Sequence, residues 1–201
     1  MQMIKNVVFD VGNVMVHFRY REYMADLGFD KDTVDFFEKN IILGSYWKLM
    51  DNGLVDDGKA EEYFIEQYPQ YEKEMRLFWA HIEDIMEEFD YSEGLVKELK
   101  AKGLGVYALS NYPDKLSDLH WPTFKFLKEM DGYVISAKVK LLKPGEEIYR
   151  CLADKYGIKL EESVFVDDTA VNVEAAEALG MKGIVFKGID DLKNELKSCI
   201  L

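Results

Sequence analysis

Five short apolar runs rich in Val, Ile, Phe and Tyr constrain the fold of this chain more than any other feature. Each has the length of a strand, and the later runs are separated by patterns typical of amphipathic helices. The predicted strands are Ile4–Phe9, Gly105–Leu109, Gly132–Ile135, Ser163–Val166 and Gly183–Phe186, and the predicted helices are Ser92–Lys102, Gly145–Tyr156 and Val171–Leu179. Strands that alternate with helices predict βαβ units, and therefore an α/β fold with a central parallel sheet.

The segment from Arg19 to Phe89 interrupts this alternation. It contains no good strand, and its aromatic and acidic residues recur at helical spacing. The economical interpretation is a separate helical unit inserted after the first strand. We therefore expect a core formed by residues 1–18 and 90–201, and a helical insert formed by residues 19–89. A chain of 201 residues fits one domain with such an insertion.

Charge and cysteine content limit the class of protein. A formal net charge of −13 disfavours binding to nucleic acid or to an anionic membrane surface. A small phosphorylated substrate remains compatible, because a divalent cation and one or two lysines reverse the sign locally. Cys151 and Cys199 do not make a disulfide framework, and no secretion leader or membrane-length apolar run is present. These features predict a cytoplasmic protein.

The first predicted strand ends in a carboxylate. Asp10 follows the apolar run Val7-Val8-Phe9 and precedes Gly12-Asn13. Ligands of open α/β sheets bind at the carboxyl ends of the strands, so Asp10 would be placed to act as a nucleophile, a metal ligand or both. A simple turn is the alternative, since Asp and Gly-Asn also end strands without any further role.

Of two further polar motifs, one follows a predicted strand and the other precedes a predicted helix. Ser110-Asn111 leaves the second strand, and its hydroxyl, amide and backbone N–H groups are suited to binding phosphate oxygens. Lys143-Pro144 precedes a predicted helix, where a lysine could neutralise phosphate or shield a carboxylate nucleophile from its negative substrate. The alternatives are a Ser-Asn turn and a solvated surface lysine.

The fourth motif is the pair Asp167-Asp168, directly after the run Val164-Phe165-Val166. Adjacent carboxylates repel each other unless a cation or several hydrogen bonds compensate. Mg²⁺ prefers carboxylate and water oxygens, so the pair is suited to a magnesium site. Acidic residues at a helix N-terminus are the alternative, which accounts for one Asp better than for two.

Together the four motifs resemble those of the haloacid dehalogenase-like hydrolase superfamily. The resemblance covers essentially the whole chain. The helical insert resembles the small four-helix cap of subfamily I, which includes sugar-phosphate phosphatases, and the first motif is most similar to bacterial alpha-glucose-1-phosphate phosphatases. The residues that carry it are Phe9–Val14, Leu109–Asn111, Lys143-Pro144, Phe165–Asp168 and Asn172–Ala176. The implied fold is a Rossmann-like three-layer sandwich with a cap.

The resemblance also implies a reaction, namely Mg²⁺-dependent hydrolysis of a small phosphorylated metabolite, with a sugar phosphate as one candidate. Asp10 would attack phosphorus and form an aspartyl-phosphate that water hydrolyses. The implied metal ligands are Asp10, the Gly12 backbone carbonyl, Asp168 and, directly or through water, Asp167. The implied phosphate-binding residues are Ser110, Asn111 and Lys143, with Asn111 supporting the loop that binds the phosphoryl group. Phosphoryl transfer requires alignment and charge neutralisation, which such a set supplies.

Gly12 departs from the family pattern, which has a second Asp two residues after the nucleophile as general acid and base. Glycine cannot donate a proton, and loss of such a group typically costs about a hundredfold to ten-thousandfold in rate. The substrate could have a good leaving group, a water or a residue of the insert could replace the missing group, or catalysis could be weakened or lost.

Two other functions stay open at this stage. A protein of this fold with Gly12 could bind ligands without turning them over. A metal-independent haloacid dehalogenase is the second alternative, which the pair Asp167-Asp168 disfavours. Residues Trp47, Lys48 and Asp51 of the insert could face the substrate, but aromatic residues at helical spacing are commonly core and charged residues are commonly solvated, so we expect no catalytic role for them.

Overall fold

A computed structural model describes residues 3–200 of the protein. Its strands are β1 (Asn6–Phe9), β2 (Val16–Phe18), β3 (Met86–Glu88), β4 (Gly105–Ser110), β5 (Gly132–Ile135), β6 (Ser163–Asp167) and β7 (Lys182–Val185). Five of them form one parallel sheet in the order β5-β4-β1-β6-β7. β2 and β3 pair antiparallel in a separate two-stranded ribbon. The five strands predicted from the sequence are therefore confirmed, with ends that differ by no more than two residues.

Helices surround the sheet and fill the segment between the two ribbon strands. They are α1 (Tyr20–Asp26), α2 (Lys31–Phe37), α3 (Ser45–Asp51), α4 (Ala60–Gln67), α5 (Glu72–Ala80), α6 (Ser92–Ala101), α7 (Asp114–His120), α8 (Lys125–Glu129), α9 (Ser136–Val139), α10 (Glu146–Tyr156), α11 (Ala170–Ala178) and α12 (Ile189–Ile200). The three predicted helices correspond to α6, α10 and α11. Across residues 3–200, no helix combines the length and the apolar character that a bilayer span requires.

The sheet separates two buried apolar clusters, because successive side chains of a strand point to opposite faces. Val7 and Phe9 of β1 belong to one cluster, together with Leu95 of α6. Val8 belongs to the other, together with Tyr149 of α10. Helices cover both faces of the sheet, which confirms the predicted three-layer arrangement.

The expectation that the insert lacks strands is wrong at its C-terminal end. β3 lies within the 19–89 segment and pairs with β2, with Phe18 opposite Met86 and Val16 opposite Glu88. A strand of three residues that includes two glutamates has no apolar alternation. Such a strand is recognisable only once its distant partner is in place.

The insert contains five α-helices, α1 to α5, where four were expected. Pro69 separates α4 from α5, because proline lacks a backbone N–H and disfavours helical backbone angles at the preceding residue. Tyr68 accordingly has a φ of −135° and a ψ of 62°. The division of the chain into a core and a cap at residues 19 and 89 stays a prediction.

Candidate active site

Asp10 lies at the carboxyl end of the central strand β1. Because β1 pairs with β4 on one side and β6 on the other, the ends of three strands meet at one edge of the sheet. Ser110 ends β4 and Asp167 ends β6. Asp10 is 9% exposed, Ser110 is 1% exposed and Asp167 is fully buried. The topology thus places three of the predicted site residues side by side.

Lys143 connects two of these carboxylates. Its Nζ lies 2.8 Å from Asp10 Oδ1 and 2.7 Å from Asp167 Oδ2, and its side chain is 1% exposed. A buried ammonium group is tolerated only when it is paired in this way. Burial alone would lower the pKa of Lys143, but the charges of Asp10 and Asp167 raise it above its ordinary value. The lysine is therefore a fixed positive charge beside Asp10, not a solvated surface residue.

Asn111 holds the main chain of that lysine. Its side-chain Oδ1 accepts a hydrogen bond of 2.9 Å from the Lys143 backbone N–H, and its Nδ2 donates one of 3.0 Å to the Lys143 carbonyl. The Asn111 amide is thus committed to the loop that carries Lys143. Its geometry is that of a positioning residue, which agrees with the supporting role that the resemblance implied for Asn111 within the phosphate-binding set.

The two adjacent aspartates have different surroundings. Asp167 accepts hydrogen bonds from Lys143 Nζ, from the Thr169 backbone N–H at 2.8 Å and, with both oxygens, from Asn172 Nδ2 at 3.1 Å. Asp168 is the most exposed carboxylate of the site. Asp167 is therefore held firmly by its neighbours, whereas Asp168 is open towards the solvent.

Asn13 connects the first motif to Asp168. Its Nδ2 donates to Asp168 Oδ2 at 3.3 Å, and its Oδ1 accepts from the Phe18 backbone N–H at 3.2 Å. Its φ of 55° lies in the left-handed region, which Asn tolerates better than most residues. The Gly-Asn dipeptide therefore forms a turn, as one reading of the sequence proposed, and that turn is part of the site.

Three carboxylates at this edge are placed to bind a divalent cation. Oxygens of Asp10, Asp167 and Asp168 lie within 4.8 Å of one another. Burial raises the pKa of Asp10 to about 7, although the positive charge of Lys143 opposes this shift. The pKa of Asp168 is also raised, mainly by burial and secondly by the negative charge of Asp167. Three negative charges against one lysine leave an excess that a divalent cation would balance. The all-oxygen donor set fits Mg²⁺.

Gly12 lies beside this cluster and lines the same pocket. A Cβ atom built at Gly12 would meet no heavy atom within 4 Å. The space for a side chain is therefore present at this position. The absence of an acidic residue there is a property of the sequence and is not imposed by crowding.

A pocket of about 260 Å³ opens in front of Asp10. The sheet edge supplies polar groups to it, and the insert and the ribbon supply mainly apolar side chains. The lining residues are Asp10, Gly12, Phe18, Ile42, Leu43, Trp47, Asp51, Ile85, Met86, Ser110, Asn111, Tyr112, Pro113, Leu116, Lys143, Thr169 and Asn172. The pocket is thus charged at one end and apolar along most of its wall.

Two residues of this site were given no role from the sequence. Asn172 was part of the quoted motif, yet its contact with Asp167 was not anticipated. Asp51 was among three residues of the insert that could face the substrate, but no catalytic role was expected for it; it is half-buried and lines the pocket. A helical pattern alone does not indicate which face of the insert is turned towards the sheet, so the sequence could not decide between a solvated and a pocket-facing Asp51.

The sheet topology and the cluster of carboxylates around a buried lysine define an α/β protein with a charged site at the carboxyl edge of its sheet. The chain belongs to the haloacid dehalogenase-like hydrolase family, because the sequence model of that family matches residues 4–180.

Characterised relatives share part of the sequence. The sesquiterpene phosphatase astK of Aspergillus oryzae is 36% identical over 97 residues, which are 45% of this chain and 46% of that protein. Flavin mononucleotide hydrolase 1 of Arabidopsis thaliana is 24% identical over 162 residues, 75% of this chain and 60% of that protein. The chain thus spans less than two thirds of the length of these relatives. The predicted likeness to alpha-glucose-1-phosphate phosphatases stays a prediction.

Solved structures share the fold over nearly the full chain. The HAD family enzyme bt-2542 of Bacteroides thetaiotaomicron superposes with a TM-score of 0.75 at 22% identity, covering 97% of this chain and 99% of that one. Its wild-type complex with magnesium and inorganic phosphate superposes with a TM-score of 0.70 at 24% identity, covering 92% and 94%. At these identities the likeness establishes the fold.

Proposed function

We propose that the protein is a Mg²⁺-dependent phosphatase that hydrolyses small phosphate monoesters through an aspartyl-phosphate at Asp10. The observation that carries this proposal is the buried ion cluster, in which Lys143 lies 2.8 Å from Asp10 and 2.7 Å from Asp167. A carboxylate at the sheet edge, flanked by a fixed ammonium group and by two further carboxylates, is suited to phosphoryl transfer. That reaction depends on alignment and charge neutralisation.

Each residue of the cluster then has a distinct task. Asp10 attacks phosphorus and displaces the alcohol, while Lys143 and the Ser110 hydroxyl bind the phosphoryl oxygens. Asp10, Asp168 and the Gly12 carbonyl would hold Mg²⁺, which supplies further positive charge to the phosphoryl group when bound. Asp167 has its oxygens occupied by neighbouring donors, so we assign it to orienting Lys143 and to supporting the metal site.

The pocket also supports a substrate class. Its volume of about 260 Å³ suits a small metabolite, and its wall beyond the sheet edge is lined by Phe18, Trp47 and other apolar side chains. The sequence suggested a sugar phosphate as one candidate. The apolar wall favours monoesters with an apolar or aromatic alcohol. This class is consistent with the relatives described above, a sesquiterpene phosphatase and a flavin mononucleotide hydrolase. A panel that contains both sugar phosphates and phosphate monoesters of apolar or aromatic alcohols distinguishes these two substrate classes.

The test compares the wild-type protein with Asp10→Asn on p-nitrophenyl phosphate and on the ester panel, with Mg²⁺ and with EDTA. We expect Mg²⁺-dependent phosphate release by the wild-type protein and none by Asp10→Asn. Asp154→Asn, which removes an exposed carboxylate from α10, is the matched control and should retain full activity. Equal activity of wild type and Asp10→Asn would contradict the assignment of the nucleophile.

Acid quenching during turnover, followed by peptide mass spectrometry, locates the intermediate. We expect one phosphoryl group on the peptide that contains Asp10. Turnover without any phosphorylated peptide would exclude the covalent pathway. Release of halide from a 2-haloacid, with no phosphate released from any ester, would identify a dehalogenase. Binding of esters without turnover would identify a non-catalytic protein.

A further inference from the structure

The pocket contains a carboxyl group that the phosphatase proposal leaves without a task. Asp51 is the last residue of α3 and lines the pocket together with Asp10 and Lys143. Among residues 3–200, no group donates a hydrogen bond to its carboxylate. It differs in this respect from Asp167, whose oxygens are occupied by neighbouring donors.

The backbone around Asp51 is fixed to the core. The Ser136 hydroxyl donates a hydrogen bond to the Asp51 carbonyl and accepts one of 2.9 Å from the Tyr112 backbone N–H. Tyr112 directly follows Ser110-Asn111, so one buried hydroxyl connects the end of α3 to the loop at the carboxyl end of β4.

Close packing reinforces this connection. Gly53 has a φ of 62°, and a Cβ atom there would collide with the Ala137 carbonyl oxygen. Only glycine permits the chain after α3 to approach α9 so closely. Asp51 is therefore held at a defined place relative to the sheet edge, although it belongs to the insert.

Hydrolysis of an ordinary ester requires a proton at the departing oxygen, because an alkoxide is a poor leaving group. Gly12 has no side chain, Asp10 is the proposed nucleophile, and Asp167 and Lys143 are bonded to each other. Among the carboxyl groups of residues 3–200 that line the pocket, Asp51 is the one that remains available for this transfer.

We propose that Asp51 is the general acid and base of this site, a proposal that rests on the phosphatase function above. In the first step Asp10 forms a bond to phosphorus, the bond from phosphorus to the ester oxygen breaks, and the Asp51 carboxyl proton moves to that oxygen. In the second step the Asp51 carboxylate takes a proton from water as the water oxygen attacks phosphorus. The bond from phosphorus to Asp10 breaks, which restores Asp10 and protonated Asp51.

The electrostatic surroundings agree with this role. Burial raises the pKa of Asp51 to about 7, the positive charge of Lys143 opposes the shift, and the negative charges of Asp10 and Asp57 add to it. Tyr112 is a further titratable group that interacts with Asp51. A carboxyl group with a pKa close to the working pH is suited both to donating and to accepting a proton.

The experiment measures how activity depends on the leaving group. Wild type, Asp51→Asn and the control Asp56→Asn are compared on p-nitrophenyl phosphate and phenyl phosphate, which are similar in shape but differ in the basicity of the departing oxygen. We expect Asp51→Asn to reduce first-turnover cleavage of phenyl phosphate about a hundredfold to ten-thousandfold. Release of p-nitrophenol in the first turnover should change far less, with phosphorylated protein accumulating afterwards. Asp56 is exposed outside the pocket, and Asp56→Asn should match the wild type.

A second variant tests whether the lost function is the proton transfer itself. The free space at Gly12 admits a side chain, so Gly12→Asp added to Asp51→Asn should restore part of the activity on phenyl phosphate. An equal loss on both esters would overturn the proposal and indicate a role in substrate binding or folding. Unchanged activity of Asp51→Asn on phenyl phosphate would also overturn it while leaving the phosphatase function intact. A wild-type protein that hydrolyses neither ester would instead contradict the phosphatase function.

Discussion

The sheet edge and the helical insert both line the pocket, but different interactions hold their side chains in place. At the sheet edge, buried charges and directional hydrogen bonds fix Lys143, Asn111 and Asp167. In the insert, aromatic packing dominates. Tyr46 of α3 stacks on Tyr63 of α4 with ring centroids 3.7 Å apart. The sheet edge, which would carry the chemistry, is thus held by charged and directional hydrogen bonds. The insert, which shapes the wall of the pocket, is held by apolar contact.

This difference indicates how the two regions should respond to substitution. A directional network positions each atom, so that the loss of one member misplaces the others or leaves them unpaired. Apolar packing depends mainly on volume and burial, and its partly exposed members are replaceable at low cost. We therefore expect changes at the sheet edge to affect turnover and stability, and changes in the exposed wall to affect substrate affinity.

The largest effect is expected for Lys143→Met. The substitution leaves Asp10 and Asp167 buried without their cation, and removing one partner of a buried ion pair typically costs about 3–5 kcal/mol. Phosphate release should also be lost. Chemical denaturation monitored by tryptophan fluorescence measures the free energy of unfolding.

Lys31→Met is the matched control for that substitution. Lys31 forms an exposed i,i+4 pair with Asp35 on α2, with N–O separation 3.0 Å, and such pairs contribute little to stability. Its midpoint of unfolding should equal that of the wild type. A Lys143→Met protein that unfolds at the same denaturant concentration as Lys31→Met would refute the idea that the buried cluster is held by its central charge.

An intermediate effect is expected for Asn111→Ala. Two main-chain groups of Lys143 lose their partner, which costs about 1–3 kcal/mol if they stay buried. The ammonium group should also lose its alignment with the phosphoryl oxygens, and a displacement of this kind can lower kcat about a hundredfold. Steady-state kinetics with p-nitrophenyl phosphate provides the measurement. Asn194→Ala on the exposed face of α12 serves as the control, and a kcat for Asn111→Ala equal to that of this control would show that Asn111 does not position Lys143.

The smallest effect is expected for Leu43→Ala in the insert. Leu43 is 64% exposed and lines the pocket, so its truncation should change the free energy of unfolding by less than about 0.5 kcal/mol. KM should rise by about tenfold or less, with kcat unchanged, because only apolar contact with the substrate is lost. Leu54 is 58% exposed and lies outside this pocket, so the control Leu54→Ala should leave KM and kcat unchanged. A fall in kcat for Leu43→Ala without a rise in KM would contradict the division between chemistry and wall.

The sequence was most informative where the signal is local. All five strands of the central sheet and the helices α6, α10 and α11 were predicted from apolar patterns within single segments. It was least informative in the insert, where β3 was missed and the number of helices was too low. β3 depends on pairing with β2, and the expected number of four helices came from the family resemblance and not from a pattern within the insert.

For the site, the sequence by itself determined which residues of the sheet edge carry the charges. A carboxylate or hydroxyl that follows a buried parallel strand must lie at the carboxyl edge, so the placement of Asp10, Ser110 and Asp167 followed from the order of strands and helices. Tertiary structure alone decided the burial of Lys143 between two carboxylates, the bonding partners of the Asn111 amide and the choice between a solvated and a pocket-facing Asp51. These features depend on how separate elements pack against one another, and no pattern within one segment encodes that geometry.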